Sequence, residues 1–431
     1  MSISWLPPKL QNLLRRNDGS LLSIVNRVVI TGLGCITPIG SSVSSFRDSL
    51  FSGASGISPI TNVPDAPDGN PGVRYTQAAQ VLDFDPAQHL DSGVIAAANR
   101  NTHFAIVAAR QAAQQAALKE HHKAGDIAII MGCACGGRSS EESEVKNLYT
   151  RNARAHPLTI VRTMASAGAS NISIDLKITG PTLDISTACA SATHAIGLAF
   201  HMVRSGLSTA AIAGGHEAPL SWGFYRAWDS MRVVSPTFCR PFSADRDGMT
   251  LGEGAAMLVL ETLESAQARN ATIFAEIVGF GMSADANHIT QPQAEGAATA
   301  MSKALADASA SPEEVGYINA HGTGTQANDA TEAAAIHQVF GSRAAKIPLS
   351  STKALHGHAI GASGALEALA TTLALQEGRL PHTAGVINPD ASLNVDIIVQ
   401  QPRPTGSTLA LSNSLAFGGL NAVIALRSWQ G

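Results

Sequence analysis

The chain has 431 residues, of which 45% are hydrophobic and only 14% charged, with 39 glycines. That length buries a large core in two domains or one large two-layered unit, and the small residues favour close packing and further burial in an oligomer. A formal net charge of -4 leaves no electrostatic footprint for nucleic acid or anionic membrane, and five cysteines make no disulfide framework, which points to a reducing, cytoplasmic setting.

Residues 1–26 read as an N-terminal extension. Trp5-Leu6-Pro7-Pro8 precedes a short amphipathic pattern over 9–16, ended by Asn17-Asp18-Gly19. It lacks the apolar core and cleavage site of a secretory signal. Its arginines leave a transit peptide or peripheral membrane association as alternatives to an incidental extension. No apolar stretch in the chain reaches the ~20 residues of a membrane span.

The folded part begins at Arg27, where 27–34 is a buried-strand run closing in a glycine turn. Apolar runs recur at 127–131, 210–213 and 257–260, with alanine-rich helical patterns such as 104–118 between them. The C-terminal half replays the scheme, with strands at 275–280, 315–320, 347–350, 409–412 and 422–426 and helices at 297–308, 330–340 and 364–375. Alternating strands and helices predict an α/β fold with mostly parallel sheets covered on both faces. The similar element order predicts a duplication into halves 27–266 and 267–431. The glycine-rich run 132–137 lacks the Lys-Ser/Thr pair of a phosphate cradle.

Cys189 stands where a strand-like run, 184–188, breaks into small residues before a helical pattern through Ala195, Ile196, Ala199, Phe200 and Val203. A thiol at that junction lies at a helix N-terminus, which is expected to lower its pKa, and the turn's N–H groups could hold an oxyanion. The alternative is a small buried core cysteine. Four features of the second half could serve it. His321-Gly322-Thr323-Gly324-Thr325 follows a strand directly, as a site loop would. Lys353-Ala354-Leu355-His356-Gly357-His358 carries two histidines, which lack a matching cysteine or carboxylate for zinc. Glu367 lies on the next helix, placed to pair with Lys353. The run 413–421 is a glycine turn between two apolar strands, a hairpin or a site element. A thiol, two histidines and a Lys–Glu pair suit one chemistry. The thiolate takes an acyl group from a thioester, and neutral histidines polarise a second thioester that loses carbon dioxide and attacks the first.

From Arg27 almost to its end the chain resembles the elongating β-ketoacyl-acyl carrier protein synthases. The motifs are 28–34, 187–191, 240–248, Gly252-Glu253-Gly254-Ala255, 321–325, 353–358 and Phe417-Gly418-Gly419. Within the family, 218–223 and 226–228 resemble the nodulation-protein-E-like and aryl-polyene ketosynthases. The resemblance implies the thiolase fold, with duplicated halves in a five-layer α-β-α-β-α sandwich. It implies condensation of an acyl group on Cys189 with malonyl carried by acyl carrier protein. It assigns decarboxylation to His321 and His358, ordering of the site to Lys353 with Glu367, and the oxyanion hole to the N–H groups of Cys189 and Phe417, the latter also a gate. Thr323 and Thr325 match the phosphopantetheine-binding hydroxyls; no other cofactor and no metal are implied. The partners implied are acyl carrier protein and a second copy, with a chain-length-factor paralogue as the alternative.

Three departures carry expectations. Cys135 stands where some relatives carry a bulkier chain-limiting residue, which implies a deeper acyl pocket. Residues 92–101 carry only Arg100 where relatives place several basic carrier-docking residues, while Arg232 still matches a docking position. Ala416 replaces a common glycine beside the gate and could slow its motion. The competing readings are a thiolase-type acyltransferase and a non-elongating partner subunit. The second histidine counts against the first and the intact Cys–His–His set against the second.

Overall fold

The computed structural model describes residues 26–61, 63 and 65–431, so the expectations for the N-terminal extension lie, Asn26 apart, outside the described residues. In chain order the first half contains β1 (Val28–Ile36), α1 (Arg100–Gln115), β2 (Ile127–Gly132), α2 (Arg138–Arg151), α3 (Ala167–Leu176), β3 (Thr182–Ile185), α4 (Ser191–Arg204), β4 (Ala210–Glu217), α5 (Trp222–Met231) and β5 (Gly254–Thr262). The second contains β6 (Ala275–Ala284), α6 (Ala294–Asp307), β7 (Val315–Asn319), α7 (Gln326–Phe340), β8 (Pro348–Ser350), α8 (Ser363–Glu377), β9 (Asp396–Ile397), β10 (Leu409–Ala416) and β11 (Leu420–Ser428).

The strands run β3-β2-β4-β5-β1 in the first half and β8-β7-β10-β11-β6 in the second, with β9 outside β8. Ranked by position in its own half with β9 left aside, each order is third, second, fourth, fifth, first. The two sets join where Val28–Ile30 of β1 pairs antiparallel with Ala275–Ile277 of β6. The expectation of mostly parallel sheets needs correction. Pairings around β2, β7 and β8 are parallel, but β4–β5, β5–β1, β6–β11 and β10–β11 are antiparallel. The last strand pair of the second half is a hairpin, and hairpins can only be antiparallel.

Helices α4 and α8 pack on each other between the two strand sets, while α1 with α3 and α6 with α7 cover the outer faces. This is the expected five-layer α-β-α-β-α thiolase arrangement. The central helices meet sheet on two sides, so α8 is buried continuously from Ser363 to Leu375. Small residues make this spacing feasible: a Cβ on Gly364 would lie 2.0 Å from Thr193 Oγ1 on α4. Among the described residues no helix is long and apolar enough to cross a membrane.

Candidate active site

The Cys189 turn is built by its neighbours. β3 ends at Ile185 and α4 starts at Ser191, so five residues reverse the chain. Ala188 adopts a left-handed φ of 49°, a strained conformation for a residue with a Cβ. Ser191 Oγ holds it, donating to the Ala188 carbonyl at 2.7 Å and accepting from the Thr187 N–H at 2.9 Å. The turn lies on α4, as expected, but the thiol is not acidified. Burial pushes Cys189 up to about 11, outweighing Lys353 and the N–H groups of Phe417 and Cys189, which lower it. Cys189 is only 6% exposed, and desolvation penalises thiolate more than the helix end favours it. A base must therefore accept its proton.

His358 Nε2 stands 3.2 Å from Cys189 Sγ. Its ring is fixed by Ser363 Oγ, 2.7 Å from Nδ1, and its backbone N–H donates to Thr250 O at 2.7 Å. His321 follows β7, and the 353–358 segment follows β8, its parallel neighbour. Both histidines thus come from the carboxyl ends of adjacent parallel strands, where α/β sheets commonly place ligands. Their rings meet edge to face with centroids 5.4 Å apart.

Lys353 Nζ reaches His321 Nδ1 at 3.2 Å and the His321 carbonyl at 2.7 Å, and forms a buried ion pair with Glu367. An ammonium can only donate, so Nδ1 accepts and the ring proton resides on Nε2. Burial, then Lys353, hold both imidazoles well below their ordinary pKa, hence neutral. Two buried carboxylates complete the frame. Glu332 accepts the His321 and Gly322 N–H groups at 2.9 Å each, and Asp329 accepts those of Phe242 at 2.8 Å and Gly324 at 3.2 Å. These two and Ser363 escaped the sequence reading. Their signal was a pair of acids three apart on the otherwise alanine-rich α7, with Glu332 facing inward.

Phe417 tops the β10–β11 hairpin, so that segment is both hairpin and site element. Gly418 and Gly419 carry left-handed φ values of 81° and 70°, which lets the turn meet residues 285–293. There the Gly418 N–H donates to Ile289 O at 2.7 Å and the Asp285 N–H to Gly419 O at 2.9 Å. The Phe417 ring stacks on Trp228 with centroids 5.9 Å apart. One cavity reaches Cys189, His321, His358, Phe417, Thr323 and Thr325 together. The two threonine hydroxyls are 3.0 Å apart. Ala416 lines it also.

Cys135 lies outside that cavity's lining, half-buried and packed against the cluster that includes Tyr75, Leu220, Tyr225 and Ile360. Burial pushes its thiol up, and the neighbouring Glu217 carboxylate adds to the effect. Arg232 is exposed and ends α5 beside Val233, which lines the cavity. Arg100 is occupied instead: it pairs with Glu253 at 2.8 Å and donates to Val81 O at 2.5 Å. His356 points away, to Thr352 Oγ1 at 3.0 Å and the Gly357 carbonyl at 2.9 Å. Cys189, His321 and His358 place donor atoms within 4.8 Å of one another, a spacing that could suit a metal. The Lys353 ammonium against His321 opposes a dication there, as does the protonated thiol.

Comparisons with known proteins agree with this arrangement. The family model described as beta-ketoacyl synthase, N-terminal domain, matches residues 25–266, and that for the C-terminal domain matches 274–386. Nodulation protein E of Rhizobium meliloti (strain 1021) is 40% identical over 93% of this chain and 99% of its own length. 3-oxoacyl-[acyl-carrier-protein] synthase 2 of Synechocystis sp. is 41% identical over 94% of this chain and 98% of its own. Among solved structures, that of the ishigamide ketosynthase/chain length factor superposes with a TM-score of 0.88 at 32% identity, over 94% of this chain and 100% of the other. The two family models cover the thiol and both imidazoles, and the chain belongs to the beta-ketoacyl synthase family, enzymes of the acyltransferase type.

Proposed function

We propose that the chain is a β-ketoacyl-acyl carrier protein synthase that condenses an acyl group held on Cys189 with malonyl-carrier protein. The observation that carries this is Cys189 Sγ at 3.2 Å from one neutral imidazole, in a cavity shared with a second whose Nε2–H is locked by Lys353. In the first half-reaction His358 Nε2 accepts the thiol proton and the sulfur attacks the acyl thioester. The oxyanion forms against the N–H groups of Cys189 and Phe417, and the carrier thiol leaves with that proton. In the second, His321 and His358 donate to the malonyl thioester carbonyl. The carboxylate leaves as carbon dioxide, the enolate carbon attacks the acyl-cysteine, and collapse returns the Cys189 thiolate, which takes up one proton from solvent to restore the resting thiol. The Ser363 hydroxyl can accept or donate, so both His358 tautomers are satisfied. Thr323 and Thr325 bind the phosphopantetheine arm that carries each substrate. Incubation with acyl-carrier protein should add one acyl mass to Cys189, and malonyl-carrier protein should then discharge it as a β-ketoacyl product. An unmodified protein under those conditions refutes the assignment.

The small side chain of Cys135 supports a deep acyl pocket for long or polyunsaturated chains. Cys135→Phe is expected to shorten the products, read by mass spectrometry; an unchanged profile counts against the pocket. Arg232, exposed beside the cavity, supports docking of an acidic carrier. Arg232→Glu is expected to raise KM for acyl-carrier protein about 3- to 10-fold, less at high salt, with kcat preserved.

The outer edge of β3 supports pairing with a second copy. This edge strand carries Leu183 at 48% exposure, and α3 beside it carries Ile174 at 63%. Leu183→Lys is expected to convert a dimer to monomer in light scattering. A chain-length-factor paralogue, the kind of subunit that the ishigamide structure names beside its ketosynthase, is the alternative occupant. Co-expression with candidate paralogues would distinguish it.

A further inference from the structure

Glu217 is a fully buried carboxylate at the end of β4 that the proposed reaction does not use. It accepts from two separate loops. On one side are the Ala134 N–H at 2.8 Å and the Cys135 N–H at 3.2 Å, with the Cys133 thiol at 3.4 Å. On the other is the Gly361 N–H at 3.3 Å. Cys135 is the residue read as the wall of the acyl pocket. Gly361 lies between His358 and Ser363, the residue that fixes the His358 ring. The two loops touch at this point: a Cβ on Gly361 would sit 2.5 Å from Ala134 N and 2.7 Å from Glu217 Oε2. Burial pushes Glu217 up to about 7, and the Ala134 N–H is the largest influence pulling it down.

We propose that Glu217 is a positioning residue that ties the wall of the acyl pocket to the loop carrying His358, so that one carboxylate sets both chain-length selection and imidazole geometry. This rests on the acyl-condensing reading above. A displacement of 133–136 by the acyl chain is shared with 358–363 through the four donors on Glu217. Pocket occupancy is thereby read at His358. The groups that act on substrate remain the thiol and the imidazoles.

Glu217→Gln replaces one accepting oxygen by an NH2 that faces backbone donors, and Gly361→Ala pushes on the same junction from the other loop. Each is expected to change the product chain-length distribution by at least one condensation cycle and to lower condensation kcat about tenfold, with KM for malonyl-carrier protein within about twofold of wild type. Both variants should still acquire the acyl mass on Cys189 from a short acyl-carrier protein. Wild-type product lengths and kcat in both folded variants would overturn the proposal, as would a lowered melting temperature alone. Failure of both to fold would assign Glu217 to stability and overturn it too. If wild-type enzyme takes no acyl mass, the acyl-condensing reading falls and the proposal with it; acylation in wild type with unchanged variants sinks the proposal alone.

Discussion

Cys189→Ala is expected to remove the acyl-enzyme entirely and to lower condensation by roughly 10⁴-fold or more, the scale seen when a covalent nucleophile is deleted. The reason is local. Among the described cysteines, Cys189 alone lies beside a histidine nitrogen while lining the cavity of both imidazoles. Cys133 is engaged with Glu217 and Cys239 with the Lys353 carbonyl, so neither can substitute. Losing one buried sulfur changes packing little, and the thermal midpoint should move by a few degrees at most. The donors to the malonyl carbonyl remain intact, so the variant should still release carbon dioxide from malonyl-carrier protein without forming product. Intact-protein mass and carbon dioxide release, measured together, test both halves of the reaction. Condensation surviving in the variant would place the nucleophile elsewhere.

Much of this site was legible before the fold. The Cys189 turn showed as a strand run breaking into small residues ahead of a helical period, and β3, the turn and α4 occupy those positions. His321 and His358 stood after strand runs, and adjacent parallel strands bring them together. Other properties depend on the whole molecule. The sign of the thiol's pKa shift follows from how much apolar structure closes over it, and no local helix-end rule contains that quantity. Strand direction at β4–β5 depends on where a long connection returns. Ser363 and Glu332 hold groups 5 and 11 residues away across turns whose shape no periodicity encodes, and Glu217 meets a backbone N–H 144 residues away. Arg100, the one cation in a stretch where relatives carry several docking residues, is held by Glu253, a pairing that the local sequence does not show.

Lys353→Ala is expected to destabilise the fold by about 3–5 kcal/mol and to lower turnover about 10²- to 10³-fold, through two separable effects. The first is electrostatic. Lys353 and Glu367 are both buried between the strand sets, so removing the ammonium leaves a carboxylate that must be desolvated alone or protonated. Burial already pushes Glu367 from 4.5 up to about 7 with Lys353 pulling it down, and without Lys353 it rises further. A carboxyl whose folded pKa lies above its unfolded one favours folding below the unfolded pKa and loses that advantage as pH rises. The variant's urea midpoint should therefore fall steeply from about pH 5 upward, through and beyond 7. The second effect is tautomeric. Without the ammonium, His321 Nδ1 loses its one side-chain donor among the described residues, and Nε2 is no longer held as the N–H that faces the cavity. Lys353→Met combined with Glu367→Leu separates the two. The double variant removes both charges, so it should recover most of the stability and abolish the steep pH slope. It cannot restore the His321 tautomer, so turnover should stay as low as in Lys353→Ala. Recovery of turnover along with stability would mean that the lysine serves the fold alone, and that something else sets the imidazole proton.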